Sequence, residues 1–234
     1  RTTLEPRLLG RHLGLDPLVT LIAMYLASPI LYGAVNGLNK TGRTYLFWLM
    51  VAAMGHADGN WDMAREDLDI FRMWSEYLIQ YGEDPGEQLC TDDFSGWLAR
   101  NCNLSLKAIL GIAAYADLSG DASYMQIAKE WAKNWEKDAK ADHVCTKLAF
   151  DKGGSWSMKY NMVWDSLLGY GLFSDEVKKN EIQVYKEKMN RYGVPLDFRV
   201  TFTKIDWLMW ATCIHKDKEF FDEVCASMMR MINE

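Results

Sequence analysis

The sequence is poor in histidine and cysteine, and each shortage excludes a class of site. Its 4 histidines are not placed at metal-ligand spacing. Its 5 cysteines are an odd number and form no C-x-x-C, so we expect neither a zinc site nor a disulfide framework. There is also no G-x-G-x-x-G, Walker loop or G-x-S-x-G. The sequence therefore predicts no metal ion and no cofactor.

The chain also lacks an excess of positive charge and long apolar segments. Its 26 Lys and Arg against 32 Asp and Glu give a net charge of −6, which argues against a nucleic-acid surface. No apolar run reaches the ~18 residues of a membrane span. The sequence opens on Arg1 without a Met or the apolar core of a signal peptide, which suggests an excised fragment. We expect no nucleic-acid and no membrane partner, and a small molecule as substrate.

Helical periodicity fills the chain from Tyr45 onwards, whereas proline and glycine interrupt residues 1–44. The spacing predicts four helix–turn–helix units, whose first helices start near residues 45, 95, 158 and 204. The second helices are expected over about 62–81, 121–140, 174–190 and 217–232. In each pair the first helix is the more apolar, which predicts an inner helix followed by an outer one.

Repeated inner–outer hairpins curl into a toroid or a solenoid. The sequence therefore predicts an all-α fold, an (α/α) toroid, with no convincing strand and only a short extended loop at 198–202. The length predicts one domain over residues 1–234, with 1–44 as its N-terminal segment. Glu181, Tyr185 and Lys186 are expected on a solvated face of the helix over 174–190.

Polar loops precede three of the predicted inner helices, at residues 88–94, 151–157 and 197–204. Because the inner helices of a toroid start at one end, these loops are expected to converge on one mouth. Four of their side chains are typical helix N-caps, namely Thr91, Asp92, Ser157 and Thr203.

Capping does not explain the paired charges in and beside these loops: Asp92 with Asp93, Lys159 with Asp165, and Lys204 with Asp206. Such pairs can push pKa values apart for proton transfer. A second interpretation of the middle loop is a serine nucleophile, Ser155 or Ser157, with Lys159 as its base.

Six segments resemble the glutaminase A family of fungi and bacteria, in that family's order and spacing, from about Asp58 to Phe221. They are Gln88–Gly96, Asn103–Ala108, Leu148–Asp151, Trp156–Asp165, Tyr192–Asp197 and Thr203–Trp210. The resemblance implies a toroid of the six-hairpin glycosidase type, of which four hairpins would be a part. It also implies an upstream β-sandwich domain, which this sequence does not contain.

The resemblance further implies a secreted or periplasmic hydrolase that converts the side-chain amide of L-glutamine to L-glutamate and ammonia. Family members usually carry histidines shortly after Asp-Asp-Phe, where this sequence has Trp97 and Arg100. The family's acidic stretch upstream of Asp58 is also not recognisable. If those groups bind substrate, these departures predict an inactive chain or an altered specificity.

For an amidohydrolase, Asp93 or Asp206 is predicted as general base and Lys159 as a stabiliser of the oxyanion. Nine further side chains are predicted to bind substrate: Asp92, Trp156, Tyr160, Asn161, Asp165, Asp197, Arg199, Lys204 and Trp207. One alternative is a glycoside hydrolase acting on a sugar, whose carboxylates Asp93 and Asp206 would stand about 5–5.5 or 6.5–9.5 Å apart. The other is a non-catalytic truncated helical module.

Overall fold

The computed structural model describes residues 55, 59, 61, 65, 68–89, 96–141 and 144–234. Several predictions fall outside this part of the chain: the segment 1–44, the inner helix that starts near Tyr45, and the caps Thr91 and Asp92. The predicted catalytic residue Asp93 also lies outside it.

The described residues form seven α-helices and one two-stranded sheet, which confirms the all-α class. In chain order these are α1 (Leu68–Tyr81), β1 (Gln88–Leu89), β2 (Trp97–Leu98), α2 (Cys102–Ser119), α3 (Ala122–Asp138), a 3₁₀ turn (Tyr160–Met162), α4 (Val163–Leu168), α5 (Asp175–Glu187), α6 (Ile205–Ala211) and α7 (Lys218–Asn233). The antiparallel β1–β2 pair corrects the expectation of a chain without strands. In this part of the chain, no helix is both long and apolar enough to cross a membrane.

The α2–α3 hairpin forms the centre of the described core. Helix α2 buries 16 of its 18 residues, whereas α3 buries only one face, made by Tyr124, Ala128, Ala132 and Trp135. A helix that is apolar all round needs neighbours on every side, and an amphipathic one covers it from outside. The predicted order of an inner and then an outer helix is confirmed for this pair.

The turn between α2 and α3 lies at Gly120 and Asp121, at the start of the outer helix predicted over 121–140. Gly120 has φ +72° and its N–H donates to the carbonyl of Ala116, a left-handed helix end that glycine adopts without strain. The carboxylate of Asp121 then accepts from the N–H of Ser123 and caps α3. Ser174 caps α5 in the same way, at the start of the helix predicted over 174–190.

The starts of the inner helices differ from the prediction. Helix α2 begins at Cys102, not near Ser95, because Oδ1 of Asn101 accepts the N–H groups of Asn103 and Leu104. Neither Ser157 nor Thr203 acts as a cap, since the 3₁₀ turn and α6 begin without a side-chain cap.

Helix α5 corrects the expectation of a solvated face around Glu181. Glu181 is 1% exposed and Tyr185 is fully buried. A buried carboxylate is tolerated when hydrogen bonds satisfy it. Two of the hydrogen bonds to Glu181 come from Thr146, in the loop before the 3₁₀ turn, where spacing along α5 could not reveal them.

Candidate functional site

Two of the three polar loops lie side by side. Ser157 and Asp197 form an antiparallel bridge. On either side of it, the N–H of Met158 donates to the carbonyl of Leu196 at 2.7 Å, and that of Phe198 to the carbonyl of Trp156 at 3.2 Å. These bonds bring the middle and last loops together, as the expected common mouth requires.

The segment that precedes α2 joins the same end of the molecule. Cys102 donates its N–H to the carbonyl of Leu148 at 3.0 Å, and Phe150 donates to that of Arg100 at 2.9 Å. The chain runs from Phe150 directly into the loop 151–157. Residues 100–102, just before α2, are thereby placed beside the start of the second polar loop.

Three predicted substrate-binding residues form a stack, which we call the mouth stack: Lys204, Trp207 and Tyr160. The rings of Tyr160 and Trp207 are parallel to within 6°, with centroids 4.2 Å apart. The Lys204 ammonium lies 4.1 Å from the centroid of the Trp207 ring, a cation–π contact. The stack fastens the turn before α4 to the first turn of α6, while the nearby Trp156 is half-buried.

Asp206 stands next to the mouth stack in the first turn of α6 and is half-buried. Among the described residues, its carboxylate has no hydrogen-bond or ion-pair partner. A carboxylate at the start of a helix is favoured by the exposed N–H groups and the helix dipole. Asp206 therefore lies at the start of α6, directly after the last polar loop, with both carboxylate oxygens available to a bound molecule.

Asp197 and Arg199 form a paired unit in the last loop. The guanidinium donates from Nε to Oδ1 at 2.9 Å and from Nη2 to Oδ2 at 2.6 Å, while the Arg199 backbone N–H also donates to Oδ1. Asp197 is buried, but the Arg199 side chain is 35% exposed. The buried carboxylate thus fixes the direction of a partly exposed cation.

The carboxylate of Asp165 is engaged by the connection between α4 and α5. It accepts the N–H groups of Leu172 and Phe173 at 2.9 and 3.3 Å, and the ammonium of Lys178 lies 2.6 Å away. With Asp165 only 1% exposed, these contacts account for its charge. The structure places this predicted substrate contact in a buried ion pair.

Three buried polar atoms near the 3₁₀ turn lack a hydrogen-bond partner in the described part of the chain. They are Nδ2 of Asn161, Nε1 of Trp164 and Oδ1 of Asn103. Orphaned buried polar atoms are rare in native proteins, and each marks a place where a water or ligand can bind. Asn161 was predicted from the sequence, whereas Asn103 and Trp164 were not.

The ammonium of Lys159 is fully buried and held by the fold. It donates to the carbonyl and hydroxyl of Ser157, both at 2.8 Å, and to the carbonyl of Thr146 at 3.4 Å. Burial lowers the pKa of this ammonium below its usual range, and the negative charge of Glu181 opposes that shift. The Ser157–Lys159 pair is within hydrogen-bond reach, but both residues are buried.

Glu181 and Tyr185 complete what we call the Lys159 network. The Glu181 carboxylate accepts from the N–H and hydroxyl of Thr146 at 2.9 and 2.7 Å, and from the Tyr185 hydroxyl at 2.6 Å. That hydroxyl accepts the backbone N–H of Lys159 at 2.7 Å. Burial raises the pKa of Tyr185 well above its usual range, and the Glu181 charge adds to the shift.

Sequence reasoning missed Glu181, Tyr185 and Thr146 as parts of this region. For Glu181 and Tyr185 the sequence carries one signal of burial. They are spaced i, i+4 on the helix, and the apolar Ile182 lies beside them. Among the described residues, no three His, Cys, Asp or Glu side chains lie close enough together to hold a metal ion.

Comparison with known proteins identifies the family that the chain resembles. Residues 37–234 match the model of the glutaminase A six helical-hairpin domain. The chain is 30% identical to a protein named probable glutaminase from Arthroderma benhamiae, over 70% of this chain and 23% of that protein. It is 32% identical to a glutaminase A from Aspergillus oryzae, over 71% of this chain and 26% of that protein.

The chain thus spans about a quarter of the length of the curated relatives that it matches. No solved structure shows a significant match to it. The resemblance of the six sequence segments, the all-α fold and the matched family model agree with one another. The chain therefore belongs to the family of the glutaminase A six helical-hairpin domain.

Proposed function

We propose that this chain carries the reaction site of a glutaminase-like hydrolase, which converts the side-chain amide of L-glutamine to L-glutamate and ammonia. One observation carries the proposal: the carboxylate of Asp206, which has no partner among the described residues, lies beside the mouth stack, where two of the predicted polar loops meet. The names of the two relatives support the substrate.

The chemical step assigned to Asp206 is general-base catalysis. The carboxylate takes a proton from a water molecule as the water oxygen attacks the amide carbon, which forms a tetrahedral intermediate with a negative oxygen. The same proton then passes to the departing nitrogen, and the C–N bond breaks to give ammonia and a carboxylic acid. The acid transfers its proton to ammonia, so that ammonium and the new carboxylate are released. Asp206 suits this role because its oxygens are not engaged by the described part of the fold.

Two cations on the last loop are proposed to bind the carboxylate of the amino acid. Arg199 is aimed by Asp197, and Lys204 is held over Trp207. A guanidinium that is already oriented loses little freedom on binding. The faces of Tyr160 and Trp207 would border the apolar part of the substrate.

The negative oxygen of the intermediate needs a preorganised donor. Asn161 suits this role because its Nδ2 is buried and lacks a partner among the described residues. The donors of Lys159 are instead directed at Ser157 and Thr146. We therefore propose that Lys159 positions the loop through Ser157, which bridges to Asp197. The secretion implied by the family resemblance remains part of this proposal.

Ammonia release from L-glutamine by the purified 234-residue chain tests the proposal. L-Asparagine, one methylene shorter, is the matched substrate control, and we expect much slower release from it. Circular dichroism should first show that the chain is folded and helical. A folded chain that releases no ammonia from glutamine would contradict the proposed function.

A further inference from the structure

A cleft of about 550 Å³ opens beside the α2–α3 hairpin, and no residue predicted for the glutaminase site lines it. Its walls come from the C-terminal half of α3, the connection between α1 and α2, and the segment 147–150. We call it the Trp131 cleft after its half-buried tryptophan. Its volume lies within the range of roughly 300–1,000 Å³ that small-molecule sites occupy.

Aromatic rings form the floor and walls of the Trp131 cleft. Trp135 is 2% exposed and fixed in place, because its indole N–H donates to the carbonyl of Cys102 at 2.7 Å and its ring packs edge-on against Phe173. Trp131, one helical turn earlier, and Phe150 are half-buried. A rigid floor flanked by partly exposed rings offers faces on which the C–H groups of a ligand can pack.

The rim of the cleft is polar, and its charges cancel. Asp84 and Arg100 form a bidentate pair at 3.0 and 3.1 Å, with about half of each side chain exposed. Oε1 of Glu83 accepts from the amide of Asn134 at 3.2 Å. The charged lining residues are three acidic and three basic: Glu83, Asp84, Asp138, Arg100, Lys137 and Lys147.

Arg100 reaches the rim from a strained backbone. Its φ is +60°, and no other residue except glycine in the described ranges has a positive φ. Its N–H donates to the carbonyl of Pro85 at 2.7 Å, and its own carbonyl accepts from Phe150 at 2.9 Å. Left-handed backbone at a long side chain is unfavourable, and such strain clusters at ligand sites.

We propose that the Trp131 cleft binds a neutral polyhydroxylated ligand, namely a mono- or oligosaccharide. The aromatic walls match the apolar faces of a sugar ring. The paired charges supply donors and acceptors to hydroxyl groups, while their cancellation disfavours a ligand with a net charge. This inference does not depend on the proposed glutaminase activity, because the cleft and the mouth stack share no lining residue.

Ligand-observed saturation-transfer NMR and isothermal titration of the 234-residue chain test this, with glucose, maltose, cellobiose and chitobiose as probes. We expect at least one sugar to bind, and Trp131→Ala to weaken its binding about tenfold, the loss expected for one stacked ring. Trp131→Phe should restore most of the affinity. The matched control is Trp97→Ala, which removes a 68% exposed tryptophan on β2 outside the cleft.

Arg100→Gly separates binding from folding, because glycine relieves the strained φ while the guanidinium is lost. We expect weaker sugar binding without a fall in thermal stability. The proposal is overturned if the folded chain binds none of the four sugars, or if Trp131→Ala and Trp97→Ala lower affinity equally. It is also overturned if glutamine competes with the sugar, since the cleft would then belong to the amide substrate.

Discussion

Lys159 and Lys204 belong to neighbouring polar loops, but their ammonium groups lie in opposite environments. Lys159 is fully buried, with donors directed at Ser157 and Thr146. Lys204 is half-buried, with its ammonium over the ring of Trp207. A buried charge must be satisfied by the fold itself, whereas one at a ring face keeps contact with solvent. One lysine therefore serves the scaffold, and the other lies where a substrate can reach it.

The carboxylates divide in the same way. Glu181 and Asp165 are each 1% exposed and engaged by two or more donors. Asp206 is half-buried and has no partner in the described part of the structure. We therefore propose catalysis for Asp206 and substrate binding for Lys204, whereas Asp165, Lys159 and Glu181 are proposed to support the fold. Variants can separate these two groups by whether activity or stability changes.

The largest effect is expected for Asp206→Asn. Loss of a general base lowers kcat by about 10²–10⁴-fold, while a half-exposed carboxylate without partners leaves the free energy of unfolding within about 0.5 kcal/mol. Ammonia release and urea unfolding measure the two quantities. Asp222→Asn, on the exposed face of α7, is the matched control. Equal activity in the two variants would remove Asp206 from the mechanism.

For Glu181→Ala we expect the opposite pattern, in which stability falls and the effect on activity is secondary. The change leaves Thr146 and the Tyr185 hydroxyl without a buried acceptor, which should lower the free energy of unfolding by about 3 kcal/mol. Glu181→Gln keeps one acceptor oxygen and should cost less than half as much. Urea titration gives both values. If Glu181→Ala is as stable as the exposed-site control Glu187→Ala, the Lys159 network does not stabilise the fold.

Alkaline pH should also lower the stability of the fold, through the buried thiol of Cys102. Burial raises the pKa of the Cys102 thiol from 9.0 to about 12, and the charge of Lys159 partly opposes this. The folded chain then keeps a proton that the unfolded chain loses. The thiol's stabilisation is complete below pH 9 and falls by up to about 1.4 kcal/mol per pH unit between pH 9 and 12.

The matched variant for this test is Cys102→Ala, since the contact with Trp135 uses the backbone carbonyl of Cys102 and is kept. Urea unfolding at pH 8, 9 and 10 should show a shallower loss of stability in the variant. The same slope in both proteins would mean that the thiol ionises equally in the folded and unfolded states.

The smallest overall effect is expected for Lys204→Met. Loss of a partly exposed cation–π contact costs about 0.5–1 kcal/mol. If Lys204 binds the substrate carboxylate, KM for glutamine should rise with kcat nearly unchanged, and Lys204→Arg should restore part of the affinity. A fall in kcat at constant KM would instead give Lys204 a role in the chemical step.

Local features were predictable from the sequence where local forces decide them. The apolar run of α2, the one-sided spacing of α3 and the caps Asp121 and Ser174 all depend on neighbours within a few residues. The adjacency of the two later polar loops followed from the repeat of hairpins. Asp206, Lys204 and Trp207 then stood out because capping does not require them.

Features that depend on distant partners were not predictable in this way. Glu181 has the spacing of a surface residue, and its burial is tolerable because Thr146, 35 positions away, donates to it together with Tyr185. Helix α2 begins later than predicted because the side chain of Asn101 accepts the N–H groups of Asn103 and Leu104. The Trp131 cleft combines three segments that lie far apart in the sequence, and no local pattern shows that they meet.

The Lys159 network limits which substitutions the sequence can accept during evolution. Its members satisfy one another, so the loss of one leaves the others buried without partners, and their effects cannot be additive. A combined Lys159→Met and Glu181→Gln change should cost less than the sum of the two separate changes. Among relatives we therefore expect Lys159 and Glu181 to be kept or replaced together, whereas the residues of the mouth stack can vary with the substrate.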